Sequence, residues 1–146
     1  MANNRRQQIV DQIVSLFKTY LTGESPYITN IFENVEGKQV FWDEVNDYPF
    51  ICVYSSDEIR EYLPGGFKWS FLNIVIRIYV KDEDAKSKLE EVFSDIESIL
   101  DNNNTLELNS GELCTDIRIL SISDDEGVLN PLGVGEITLE VRYGLG

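Results

Sequence analysis

Residues 67–80 read Phe67-Lys68-Trp69-Ser70-Phe71-Leu72-Asn73-Ile74-Val75-Ile76-Arg77-Ile78-Tyr79-Val80. Strict alternation places Leu72, Ile74, Ile76, Ile78 and Val80 on one face. Trp69, Phe71, Asn73, Val75, Arg77 and Tyr79 fall on the other. Side chains of period two on both faces mark a β-strand. At roughly 3.3 Å per residue it would span over ~40 Å, about twice a common strand. Leu63-Pro64-Gly65-Gly66 just before it is a turn signal. Upstream, Ser55 to Tyr62 is polar, and Phe50-Ile51-Cys52-Val53-Tyr54 is apolar on both faces, as a central strand is. These pieces predict a long hairpin that starts in the core and extends beyond the domain body. Tyr62, Leu63, Phe67, Trp69 and Phe71 gather towards its turn and are the candidate interface residues. The alternative is a twisted hairpin folded back onto its own domain.

Two helices flank this hairpin in sequence. Arg5 to Leu21 carries Ile9, Ile13, Leu16, Phe17 and Tyr20 at helical spacing, widened by Val10, Val14 and Leu21. Asn4 can cap it, with Gln7 three residues on, and Gly23 supplies the stop. Asp82 to Leu100 is cleaner: Ala85, Leu89, Val92, Phe93, Ile96, Ile99 and Leu100 share one face, and Asp82 or Asp84 can cap it. Asn102-Asn103-Asn104 ends it. Glu90, Glu91, Asp95 and Glu97 lie off the apolar face and are expected in solvent. Between the first helix and the hairpin, Ile31-Phe32 and Val40-Phe41-Trp42 read as two short strands, or a strand and an ordered loop. Thr115 to Ser123 reads as a strand whose apolar phase shifts between Ile119 and Leu120, the mark of a bulge or of burial on both faces. Gly135 to Tyr143 alternates cleanly, with Ile137, Leu139, Val141 and Tyr143 inward. The order predicts an α+β fold: a mainly antiparallel sheet with a long β-hairpin, packed against two amphipathic helices. At 146 residues, one domain spanning the whole chain is expected.

Charge and composition narrow the function. Acidic residues outnumber basic ones 26 to 12, for a formal charge of −14. A broad basic surface for DNA or RNA is thereby excluded, and anionic membranes are disfavoured. The chain has no histidine, which removes His-based acid–base catalysis, Ser-His-Asp and Cys-His nucleophiles, and imidazole-dependent zinc sites. No apolar run reaches the ~18–20 residues of a membrane span, and no signal peptide is read after the basic start. Cys52 and Cys114 form no CxxC and are expected to be reduced, packed thiols.

Candidate chemistry is sparse. Asp124-Asp125-Glu126 offers carboxylate oxygens to a hard cation, but no EF-hand spacing surrounds it, and solvated loop acids account for it. Asp82-Glu83-Asp84 suits the positive end of a helix dipole. The acids show no glycosidase pattern, and Leu63-Pro64-Gly65-Gly66 lacks the Lys-Ser/Thr of a phosphate-binding loop. Trp42, Trp69 and Phe71 fit packing or interface roles better than a ligand pocket. No catalytic residue, cofactor or metal is expected.

Taken in order, these features resemble the tail terminator (tail completion) proteins of long-tailed, lambda-like bacteriophages. The resemblance rests on the N-terminal amphipathic helix, Val40-Phe41-Trp42-Asp43, Tyr48-Pro49-Phe50-Ile51-Cys52-Val53 and the polar arm. It continues through Gly66, Trp69 and Ile74-Val75-Ile76-Arg77-Ile78-Tyr79-Val80-Lys81, the helix from Asp84-Ala85 to Ile99-Leu100, and Val141-Arg142-Tyr143. It implies a structural virion protein, not an enzyme. Such proteins form a ring of six subunits on the last ring of the tail tube, end its growth and offer a surface to the head's connector. The implied partners are further copies, the tail tube protein and a head-completion or connector protein, with DNA passing through unbound. The implied location is the head-proximal end of the tail, after assembly in host cytoplasm. Asp124, Asp125 and Glu126 become candidate lumen or loop acids. The alternatives are a neck or head-completion protein, or a non-viral cytosolic adaptor that uses the hairpin for recognition.

Overall fold

The computed structural model of the chain describes residues 5–106 and 116–145. Its elements are α1 (Arg5–Tyr20), β1 (Val35–Glu36), β2 (Phe50–Tyr62), β3 (Lys68–Lys81), α2 (Ala85–Asn102), β4 (Asp116–Asp124) and β5 (Leu132–Leu145). The five strands form one sheet in the order β1-β2-β3-β5-β4. Every neighbouring pair is antiparallel except β1 with β2. The α+β expectation therefore holds, including the β2–β3 hairpin.

One face of the sheet is the core. The inward residues of β3 (Leu72, Ile74, Ile76, Ile78, Val80) and of β5 (Ile137, Leu139, Val141, Tyr143) are buried there with Ile51 and Val53 of β2. Both helices lie on that face, α1 through Ile9, Ile13 and Phe17, α2 through Leu89, Val92, Phe93, Ile96 and Ile99. A β-carbon at Gly135 would run into the Phe93 ring, and one at Gly133 would sit 2.9 Å from Val80. These glycines thus let α2 settle on β5.

Gly133 also marks the first departure from the sequence reading. Asp124 to Gly133 reads as a loop, yet β5 begins at Leu132 and pairs with β3 over its full length, from Lys81↔Leu132 to Lys68↔Leu145. The hairpin consequently does not leave the body as a free two-stranded arm, because β5 accompanies it to the turn. A register break lies between Ser55 and Glu58 of β2. Of the two readings of the phase shift in β4, the bulge is the one present, between Ile119 and Ser121, and it leaves Leu120 without a partner on β5.

Residues 22–45 depart further. Phe32 and Glu33 adopt left-handed backbone, φ 50° and 62°, which no strand tolerates. The short strand is instead Val35–Glu36 beside Ile51–Cys52. Val40-Phe41-Trp42 is not a strand either, since Trp42–Glu44 closes a 3₁₀ turn. Val40 plugs a small second core on the opposite sheet face with Val45, Cys52 and Tyr79. The Tyr79 hydroxyl donates to the Val40 carbonyl at 2.7 Å. Cys52 is a buried thiol, and burial pushes its pKa up. Cys114 and the cap expected at Asn4 lie outside the described residues.

In α2, Asp84 caps as expected, accepting from the Ser87 amide at 3.2 Å. Asp95 does not behave as expected. It is 7% exposed, and one carboxylate oxygen accepts the amides of Ile28 at 3.1 Å and Thr29 at 2.8 Å. The long connection from α1 to β1 needs an acceptor for amides that no strand satisfies, and this carboxylate supplies it.

Candidate assembly surfaces

Register divides the molecule into two ends. The β2–β3 turn is at one end of the ~45 Å sheet (β3 has 14 residues at ~3.3 Å each). The β4–β5 turn is at the other.

At the first end, Leu63-Pro64-Gly65-Gly66 turns the chain with Gly65 and Gly66 both at φ 83°, a backbone that favours glycine. The Leu63 amide donates to the Phe67 carbonyl at 2.8 Å. Tyr62 and Phe67 stand 69% and 63% exposed on either side of this turn, and Lys68 Nζ lies 5.7 Å from the centre of the Tyr62 ring. Leu63 is half-buried. Trp69 and Phe71 also stay half-buried, on the sheet face turned away from the helices, where they pair with Glu61 and Ile59 of β2. The Arg142 guanidinium stacks 4.7 Å from the Trp69 ring centre. So the five residues expected to act together fall into two groups: Tyr62, Leu63 and Phe67 at the turn, Trp69 and Phe71 on the open sheet face.

Below the turn, a polar clamp stiffens the arm on the helix side. Glu58, its side chain only 9% exposed, pairs with Arg60 at 3.0 Å and with Arg6 of α1 at 3.5 Å. It also accepts the Tyr143 hydroxyl. Burial first, and then this carboxylate, push the Tyr143 pKa up to about 12. A carboxylate held by two guanidiniums and a phenol fixes the bulged part of β2 to both α1 and β5. The "polar" arm is thus a braced element.

At the far end, Asp124, Asp125 and Glu126 form the β4–β5 turn. Asp124 accepts the Glu126 amide at 2.8 Å, and Asp125 accepts the Leu129 amide at 3.1 Å. Lys86 of α2 pairs with Asp124 and, with the Glu126 amide, holds its carboxyl below the ordinary range. Asn130 ties the same turn to α2, accepting from the Ala85 amide at 3.3 Å and donating to the Glu83 carbonyl at 3.2 Å. These acids build their own turn. Among the described residues no group of three or more Cys, Asp or Glu side chains is placed to hold a metal ion.

Periodicity missed several exposed apolar residues. Ile59 joins Trp69 and Phe71 on the open face. Val128 and Leu129 project from the far turn, and Phe41 and Trp42 flank the second core at that same end. The signal for Ile59 was available: it is the one aliphatic residue in an otherwise polar arm. Phe41 and Trp42 gave none, because a short apolar run looks the same whether it packs or projects.

A family model for the bacteriophage tail tube terminator protein matches residues 3–145. The chain belongs to the phage tail tube terminator family. It is 31% identical over 151 residues to tail tube terminator protein p142 of Escherichia phage T5, covering 96% of this chain and 94% of that one. In structure it is similar to a chain from the virion of a native gene transfer agent particle, with a TM-score of 0.67 over 99% of this chain and 100% of the other. Identity there is 7%, so this likeness speaks for the fold alone. Family membership makes the terminator chain a structural component of the phage tail rather than an enzyme, and it decides against the neck-protein and adaptor alternatives.

Proposed function

We propose that the terminator acts as a ring of six copies, each contributing residues 1–146 as one domain. The ring sits on the last ring of the tail tube at its head-proximal end, ends tube growth and gives a head-completion or connector protein its docking surface. The observation that carries this reading is the pair of exposed apolar ends. Tyr62, Phe67 and Ile59 mark one end of the sheet, and Phe41, Trp42, Val128 and Leu129 mark the other. A chain of net charge −14 that displays large apolar groups at two opposed ends is built to meet two partners. The strongly acidic surface suits a channel through which DNA slides without sticking; Asp125 and Glu126 add to it, while the Asp124 carboxylate is taken up by Lys86. Assembly in host cytoplasm precedes this place in the virion. Purified chain added to polymerising tube protein tests capping directly. The expected result is arrested elongation with one added ring per arrested end. Tubes that continue to grow at saturating chain would overturn it.

The turn residues carry much of the association in this reading. Interface Tyr and Trp side chains often cost roughly 2 kcal/mol or more when truncated. Tyr62→Ala with Phe67→Ala is expected to impair ring or tail assembly and to leave the monomer's unfolding midpoint unchanged, since both side chains are in solvent. A heavily destabilised monomer that still assembles at normal concentration would contradict the assignment.

Charge sets the conditions of assembly. Like charges on neighbouring subunits repel over ~30 Å at 0.01 M salt but only ~8 Å at physiological ionic strength. The free chain is therefore expected to be monomeric or weakly associated at low salt and to assemble as salt rises, or on a tube end. Light scattering across a salt series measures this. Rings stable at low salt that dissociate on adding salt would show that opposite charges, not apolar contacts, hold them.

A further inference from the structure

The sheet has two open edges, and they face opposite ways. β1 covers β2 only at Ile51 and Cys52, so from Val53 to Tyr62 the outer edge of β2 has no strand beside it among the described residues. At the other side of the sheet, β4 pairs with β5 alone among the described residues. Such edges present unpaired amides and carbonyls, and proteins usually protect them with Lys, Pro or very short strands. β4 holds no lysine and no proline, and although Asp116, Arg118 and Asp124 lie towards its ends, its middle, Ile119-Leu120-Ser121-Ile122-Ser123, holds no charge. Leu120 is 53% exposed.

We propose that the β4 edge of one terminator subunit pairs with the β2 edge of the next, so that the sheet continues from copy to copy. This rests on the ring reading above and adds to it which strands join. Three observations select a second copy of this chain as the occupant. The first is polarity. β2 and β5 run one way and β3 and β4 the other; rotation about a ring axis that lies along the strands preserves direction. The β4 of one copy then meets the next copy's β2 head to tail, as an antiparallel ladder.

Length is the second. β4 has nine residues, and the open run from Val53 to Tyr62 is comparable. The third is side-chain match. On the face away from the helices, β4 presents Arg118, while β2 presents Ile59 and Glu61, as their partners Glu140, Phe71 and Trp69 show. On the helix face β4 presents Ile117 and β2 presents Tyr62. An antiparallel register with Arg118 opposite Glu61 brings Ile117 against Tyr62. It also sets Leu120 beside Ile59, joining two exposed aliphatic side chains. The Arg118–Glu61 pair lies on the surface and is screened, so it does not reverse the salt dependence expected above.

Cross-linking tests the register. The full chain carrying Ile59→Cys and Leu120→Cys, with Cys114→Ser as background, is brought to assembling conditions, imaged for rings and then oxidised. The expected product is a ladder of covalent oligomers that ends at the ring's subunit number, with no ladder from either single-cysteine chain. Rings without a ladder would overturn edge pairing in this register and leave the ring reading intact. No rings, either free or on tube ends, would overturn the ring reading and this proposal with it. Leu120→Lys supplies the second measurement. A lysine at an edge blocks strand addition, so association should weaken by about tenfold or more while the monomer's unfolding midpoint stays put. Unchanged association of that variant would also overturn the proposal.

Discussion

Replacing Phe93 by alanine is expected to lower the stability of the monomer by about 3–5 kcal/mol. The ring is 2% exposed and sits where α2 crosses β5. Directly beneath it the sheet offers Gly135, which has no side chain to move into the space left behind. The cavity would therefore stay open, and the cost should fall towards the upper part of the range, because deletion is worst where surroundings cannot collapse. Chemical denaturation measures it as a lower midpoint at unchanged slope. A midpoint equal to the parent's would show that this helix face is not part of the core.

The second large effect belongs to Asp95. Its carboxylate accepts both the Ile28 and Thr29 amides, and Thr29 is fully buried. Asp95→Ala leaves those donors without an acceptor and is expected to cost about 2–3 kcal/mol, since an orphaned buried polar group loses its desolvation cost outright. Asp95→Asn keeps a carbonyl oxygen in place and should recover most of that loss. Hydrogen exchange adds a local readout: in the alanine variant the Ile28 and Thr29 amides should exchange faster than the rest of the sheet. Equal stability of the alanine and asparagine variants would contradict the clamp.

Asp95 also shows where sequence reasoning stops. Helical periodicity puts it off the apolar face, where an acid is ordinarily in solvent, yet it is buried. What makes it structural is the loop that arrives opposite, a contact 66 residues distant along the chain from Thr29. The elements with strong period signals (β3, β5 from Gly135 on, α1 and α2) were legible because one face of each is buried and the pattern repeats. The phase shift at Leu120 likewise announced a bulge or burial on both faces. Residues 22–45 were not legible: the left-handed backbone at Phe32 and Glu33 belongs to residue types that rarely adopt it. Gly133 read as loop because the local signal for glycine is the same whether a chain bends or a helix approaches. For the assembly residues, the sequence pointed to the aromatic turn. Splitting Tyr62 and Phe67 from Trp69 and Phe71 required the register, and seeing that the outer face near Ile59 stays open required knowing how far the loop around Val40 reaches.

Terminator chain marked with gold, or with an antibody to a tag, and imaged on completed tails tests the central claim most directly. The account predicts one cluster of label per tail, confined to the head-proximal end of the tube and shielded once a head is joined. Label along the tube, at the distal tip or only on heads would contradict it.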